Sequence, residues 1–178
     1  MMPPSCPTQA LTTRPATVDD IPVLRGLAEQ IWRVAYVGII PPEQIDYMLG
    51  WMYGAAQIAL EIGEGVVWEV AMAANQPVGF FSISFQEPPR AKLQRLYLIP
   101  ERQGAGLGQA MLGRVHELAA SRGASDIWLQ VNKQNTRAIR AYERAGYVVV
   151  RSAVFDIGGG FVMDDFIMQR ALAPQTAA

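Results

Sequence analysis

Residues 96–108 read Leu96-Tyr-Leu-Ile-Pro-Glu-Arg-Gln-Gly-Ala-Gly-Leu-Gly108. The apolar run up to Ile99 has the composition of a strand, and Pro100 ends it because proline cannot donate to a ladder. Gly104, Gly106 and Gly108 then alternate with other residues. Beyond them Met111, Leu112, Val115, Leu118 and Ala119 recur at helical spacing. Glycines between a strand and a helix let backbone N–H groups approach an anion closely, and the helix N-terminus adds its partial positive charge. The segment therefore predicts a phosphate cradle that needs no lysine.

Spacing narrows the anion. A P-loop requires Lys and Ser/Thr after its last glycine, and here Gln109 and Ala110 follow Gly108, so nucleoside triphosphate chemistry lacks its cation and its metal-binding hydroxyl. A Rossmann fingerprint has Gly-x-Gly-x-x-Gly and an acidic residue after the next strand. The chain has Gly-x-Gly-x-Gly, and Val131-Asn132-Lys133 at the later position.

Working outward, Asp126 to Val131 alternates as a strand, and Asn135 to Ala145 reads as a helix closed by Gly146. Tyr147–Val154 and Phe161–Gln169 predict a hairpin around Gly158–Gly160. Upstream, Leu11–Pro15 is a short strand and Thr17 with Asp20 forms a capping box. Ile21, Leu24, Leu27, Ala28, Ile31 and Ala35 make one apolar helical stripe ending before Gly38. Pro41–Glu64 reads as two short helical pieces parted near Gly50–Gly54. Val66–Met72 and Val78–Phe85 form a hairpin turning at Asn75-Gln-Pro77, and Leu93–Ile99 is a fourth strand. The order predicts an α/β layout with a mixed sheet.

Gln103-Gly-Ala-Gly106-Leu-Gly108 resembles the acetyl-CoA signature of the GNAT acetyltransferases, Arg/Gln-x-x-Gly-x-Gly/Ala. Asn135-Thr-Arg-Ala138-Ile-Arg-Ala-Tyr142-Glu-Arg-Ala-Gly146-Tyr147 is similar to that family's Asn-x-x-Ala-x-x-x-Tyr-x-x-x-Gly-Phe/Tyr helix. The two motifs stand in the family's order, and the resemblance runs from residue 13 to residue 170. It implies a single-domain GNAT-like α/β fold, a mixed twisted central sheet of about six to seven strands flanked by about four helices. The acetyltransferase domain would span 11–171, between an N-terminal tail over 1–10 and a short C-terminal tail over 172–178.

The resemblance also implies roles. The backbone of Leu96, Tyr97 and Leu98 would pair with the pantetheine arm, and Gln103, Gly104, Ala105, Gly106, Leu107, Gly108 and Gln109 would hold the pyrophosphate. Asn135 would bind the pantetheine amides. Tyr142 stands seven residues beyond Asn135, on nearly the same side of the helix at about 100° per residue, so its phenol can reach the thioester sulfur as general acid. The co-substrate is acetyl-CoA, with no metal. The reaction is direct transfer to the primary amine of a small molecule in a ternary complex, with an N–H of the fourth strand on the carbonyl oxygen. Trp32 and Tyr36, four apart on the first helix, are candidates for the acceptor wall, and Glu69 and Glu87 for the base.

The first third is similar to PaiA-type polyamine acetyltransferases, in which case Glu29, Glu43, Asp46 and Glu87 are candidate carboxylates for a polycation. Three other readings remain: a protein or peptide amine as acceptor, a non-catalytic acyl-CoA sensor, and a partner-binding domain exposing Trp51, Met52 and Tyr53. His116 has no assigned role. A net charge of −1 with no basic run gives no electrostatic footprint for nucleic acid. With 51% apolar and 17% charged residues, composition fits a packed domain rather than a membrane span. The single cysteine, Cys6, supports no disulfide framework and fits a reducing cytoplasm. A second copy of the chain, as homodimer, is a candidate partner.

Overall fold

The computed structural model describes residues 11–173, and at 86 and 87 the backbone. The 1–10 segment expected as a tail, with Cys6, and residues 174–178 lie outside the described residues. Seven strands form one sheet in the order β1-β2-β3-β4-β5-β7-β6. They are β1 Thr12–Pro15, β2 Val67–Ala73, β3 Gln76–Glu87, β4 Arg90–Leu98, β5 Asp126–Asn132, β6 Val148–Gly158 and β7 Phe161–Ala171. Five α-helices join them: α1 Ile21–Ala35, α2 Pro42–Met52, α3 Ala55–Gly63, α4 Leu107–Ser121 and α5 Thr136–Arg144. Pro41–Glu64 divides as expected, into two helices parted at Tyr53–Gly54.

The helices lie on both faces of the sheet, so its central strands are buried on both sides and lose simple alternation. Phe80 packs with Leu24, Trp32, Met48 and Ile58 from α1 to α3. Its neighbour Phe81 packs with Met111, Leu112 and Val115 from α4. The capping box is present: Asp20 Oδ2 accepts from the Thr17 N–H at 2.9 Å. Asp20 also holds Arg14 at 2.6 and 2.9 Å, and that guanidinium draws its carboxyl down to about 2.

The first hairpin turns two residues earlier than the Pro77 signal suggests. Ala74 and Asn75 have φ of 50° and 61°, the pair of left-handed residues that a two-residue hairpin needs to match strand twist. Gln76 and Pro77 therefore already belong to β3. β4 likewise starts at Arg90, three residues before the expected Leu93, by pairing with Glu87 of β3. Among the described residues no helix is long and apolar enough to cross a membrane.

One irregularity positions the site. β4 and β5 are the parallel pair, and they are in register at Arg90↔Asp126, Ala91↔Ile127 and Lys92↔Trp128. On its other edge β4 pairs Leu93 with Ile83 and Arg95 with Ser82. Gln94 is thus the extra residue of a bulge, which bends and twists the strand where pairing with β5 stops. From Leu93 to Leu98 the β5 side of β4 has no strand partner among the described residues, and the sheet opens there as a wedge.

Candidate functional site

The wedge continues into a cleft of about 880 Å³. Leu96, Tyr97 and Leu98 of β4 line it, as do Gln103, Gly104, Gly106, Gly108 and Gln109 at the start of α4, and Asn135 and Tyr142 of α5. The two segments singled out in the sequence therefore meet across one space. Their meeting is fixed by a hydrogen bond, since Gln109 Nε2 donates to the Ala141 carbonyl at 3.0 Å.

At the start of α4 two glycines take conformations that their missing Cβ permits. Gly104 and Gly106 have φ of 89° and 79°, a region that side chains with a Cβ seldom enter. The helix ladder opens with Ala110 N–H donating to Gly106 C=O at 3.0 Å, so the N–H groups of Leu107, Gly108 and Gln109 precede it and have no helical acceptor. A Cβ built on Gly104, Gly106 or Gly108 would meet nothing within 4 Å. Three outward N–H groups at a positive helix end, beside an unpaired strand edge, fit a diphosphate followed by an amide-bearing arm.

The individual side chains divide. Leu107 is buried in the core, leaving only its backbone to the cradle, and Ala105 is exposed. Gln103 Nε2 donates to the Leu98 carbonyl at 2.8 Å, fastening the loop to the end of β4. Asn135 is the N-cap of α5, its Oδ1 accepting from the Ala138 N–H at 3.2 Å, and its Nδ2 remains a donor beside the cleft. Tyr142 packs edge-on to Tyr147 at 5.7 Å. Burial pushes its phenol up to about 12, which keeps it protonated through the neutral range.

Trp32 and Tyr36 are both buried and both on the cleft wall. They stack at 4.2 Å. The Trp32 indole N–H donates to the Tyr53 hydroxyl at 3.1 Å, and the Tyr36 and Tyr97 hydroxyls share a hydrogen bond at 3.2 Å. Burial raises the Tyr36 and Tyr97 phenols well above their ordinary range. These rings form a rigid aromatic wall of neutral hydroxyls.

Other sequence candidates sit elsewhere. Glu69, one candidate base, is spent on Arg114 of α4 at 2.7 and 3.1 Å. Of Glu87 only the backbone, at the end of β3, is described. Glu29 and Asp46 share Arg33 on the exposed surface, at 3.2 and 2.9 Å, and Glu43 is exposed in the first turn of α2. The expected exposed patch is broken up: Tyr53 is 2% exposed and Met52 half-buried, while Trp51 stays exposed at the cleft's edge. His116 is half-buried away from the cleft, bonded to the Tyr147 hydroxyl at 3.0 Å and to Arg170, and burial draws it down to about 4.

Sequence reasoning missed Asp165. This β7 residue pairs with Asn132 of β5, lines the cleft, is 2% exposed, and has a buried Oδ1 without a hydrogen bond among the described residues. Burial first, then the neighbouring Asp164, pushes its carboxyl up to about 6 against the pull of Lys133 and Lys92. The signal available was a doubled acid, Asp164-Asp165, inside an apolar strand pattern.

The family model of the acetyltransferase (GNAT) family matches residues 28–147. A spermidine N(1)-acetyltransferase of Thermoplasma acidophilum is 25% identical over 166 residues, covering 90% of this chain and 97% of that protein. An uncharacterized N-acetyltransferase of Mycobacterium bovis is 33% identical over 95 residues, so this chain spans 60% of that relative's length. The crystal structure of the PaiA N-acetyltransferase of Thermoplasma acidophilum in complex with coenzyme A superposes with a TM-score of 0.78 at 24% identity, covering 91% of this chain and 99% of that one.

Proposed function

The chain belongs to the GNAT acetyltransferase family, and from that premise we propose that it moves the acetyl group of acetyl-CoA onto the primary amine of a small molecule. The observation that carries the reading is the wedge itself. β4 leaves β5 after three residue pairs, and its open edge leads straight to the unpaired N–H groups at the start of α4.

Acetyl-CoA supplies the acetyl group as a thioester, activated toward amines. The chain's own groups hold and polarise it. The N–H groups of Leu107, Gly108 and Gln109 grip the diphosphate, and the edge of β4 from Leu96 to Leu98 with Asn135 takes the pantetheine amides. An N–H of β4 steadies the carbonyl oxygen as charge builds there. Tyr142, held neutral by burial, gives its proton to the sulfur as the C–S bond breaks. The neutral amine attacks the thioester carbon directly, and the proton that its nitrogen sheds as the amide forms restores the Tyr142 phenol.

Thermal unfolding with and without acetyl-CoA tests the first half: a ligand bound only by the native state raises Tm. The wild type is expected to shift upward and Gly106→Glu not at all, because a carboxylate at φ 79° would sit in the anion's seat. Thiol release across a panel of amines tests the second half. No Tm shift with the wild type would reject the reading.

A further inference from the structure

The acceptor end of the cleft can be read from its charges. Phe155 and Ile157 of β6 and Met163 of β7 line it together with Trp51 and Met52 of α2, and the hairpin is tied to α2 because the Tyr47 hydroxyl donates to the Ile157 carbonyl at 2.6 Å. These surfaces are apolar. Two carboxylates reach the cleft, Glu61 and Asp165. Glu61 is consumed: its oxygens take the Arg95 guanidinium at 2.8 and 2.9 Å and the Gln57 amide at 3.0 Å. Asp165 keeps a buried acceptor without a partner among the described residues, an arrangement that costs free energy unless something else supplies the donor.

We propose that Asp165 anchors the ammonium group of the acceptor, and that this acceptor is a primary monoamine on an apolar or aromatic body rather than a polyamine. The inference rests on the acetyl-transfer reading and deepens it. A polyamine brings several cations, each of which loses its hydration in an apolar chamber and needs a carboxylate in return. Arg137 and Arg144 also line the cleft, and their positive charges disfavour further cations. An aryl or alkyl body instead buries itself against Phe155, Met163 and Trp51.

The groups around Asp165 are Asp164 on its own strand, Lys133 after β5, Lys92 on β4 and the Tyr36 phenol just after α1. Tyr36, Asp165 and the sulfur-side phenol of Tyr142 all line the one cleft. Asp165 takes an ammonium only when ionised, and because the single nitrogen of a monoamine is also the one that attacks, the anchored ammonium first gives one proton to that carboxylate, which releases it to solvent after transfer. Amine capture should therefore fade as pH falls through the carboxyl's titration near 6.

The test is thiol release by the wild type at saturating acetyl-CoA, with 2-phenylethylamine and spermidine as acceptors, beside acetyl-CoA binding measured separately. Expected are a kcat/KM for phenylethylamine about tenfold or more above spermidine, and for Asp165→Asn a KM for the amine raised about tenfold or more with acetyl-CoA affinity unchanged. The variant should also lose the fall of kcat/KM on the acid side. Met163→Glu, which adds a second carboxylate on the same strand face, should move preference toward a diamine such as putrescine, and guards against a misfolded Asp165 variant. Acetyl-CoA binding with spermidine preferred, with neither amine used, or with Asp165→Asn and Met163→Glu leaving amine KM and preference unchanged overturns the inference alone. Absence of acetyl-CoA binding overturns the acetyl-transfer reading beneath it.

Discussion

Replacing Asp165 by Asn removes a charge that the fold holds at a cost, and the cost can be worked from the site. The carboxyl titrates near 6 instead of 3.8 because burial removes its water and Asp164 adds a like charge. That rise corresponds to about 3 kcal/mol at ~1.4 kcal/mol per tenfold change in proton affinity. Between about pH 4 and 6 the native state binds the proton more tightly than the unfolded chain, so stability falls as pH rises through that window and the full cost stands above it. Asn has nearly the same shape without the charge, and its own amide regains only part of what it loses in water. Urea unfolding should therefore find Asp165→Asn more stable than the wild type by about 1–3 kcal/mol near pH 7, with the gap closing toward pH 4. A gap independent of pH, or a wild type more stable than the variant at pH 7, would refute the reasoning. The same substitution is expected to weaken amine capture, the trade between stability and activity common at working sites.

Tyr142→Phe should lower kcat by about a hundredfold or more while leaving acetyl-CoA affinity nearly unchanged, because the ring still packs on Tyr147 and only the proton donor is lost; steady-state kinetics with separate binding isotherms decide it. With a phenol near 12, the wild-type kcat should also show no loss from Tyr142 ionisation up to about pH 10. Glu61→Ala strands the Arg95 guanidinium, whose side chain is 4% exposed and whose Nε already lacks a partner. Leaving a buried charge uncompensated costs about 3–5 kcal/mol, read as a lower urea midpoint with an unchanged slope.

The local conformation of the glycine turn was legible in sequence because it is backbone conformation. Gly104 and Gly106 adopt the positive φ that their missing Cβ permits, and α4 begins where the apolar period resumes. Asn135 and Tyr142 line the same cleft, since helical geometry relates residues seven apart whatever surrounds them. The strand alternations and helix stripes likewise foretold the strands and α-helices of the described residues, missing chiefly at boundaries such as Ala74-Asn75 and Arg90.

Which charges are spent and which are spare was decided only by the tertiary structure. Glu69, Glu29 and Asp46 are as acidic in sequence as Asp165, and each is paired with an arginine distant in the chain or a few residues away. The wedge between β4 and β5 is also a tertiary product. It depends on the Gln94 bulge against β3, and a bulge is a relation between two strands that neither strand's composition records. Sequence patterns carry periods and local conformations. Pairing and burial arise when segments more than a hundred residues apart, such as those carrying Tyr36 and Asp165, come to line one cleft.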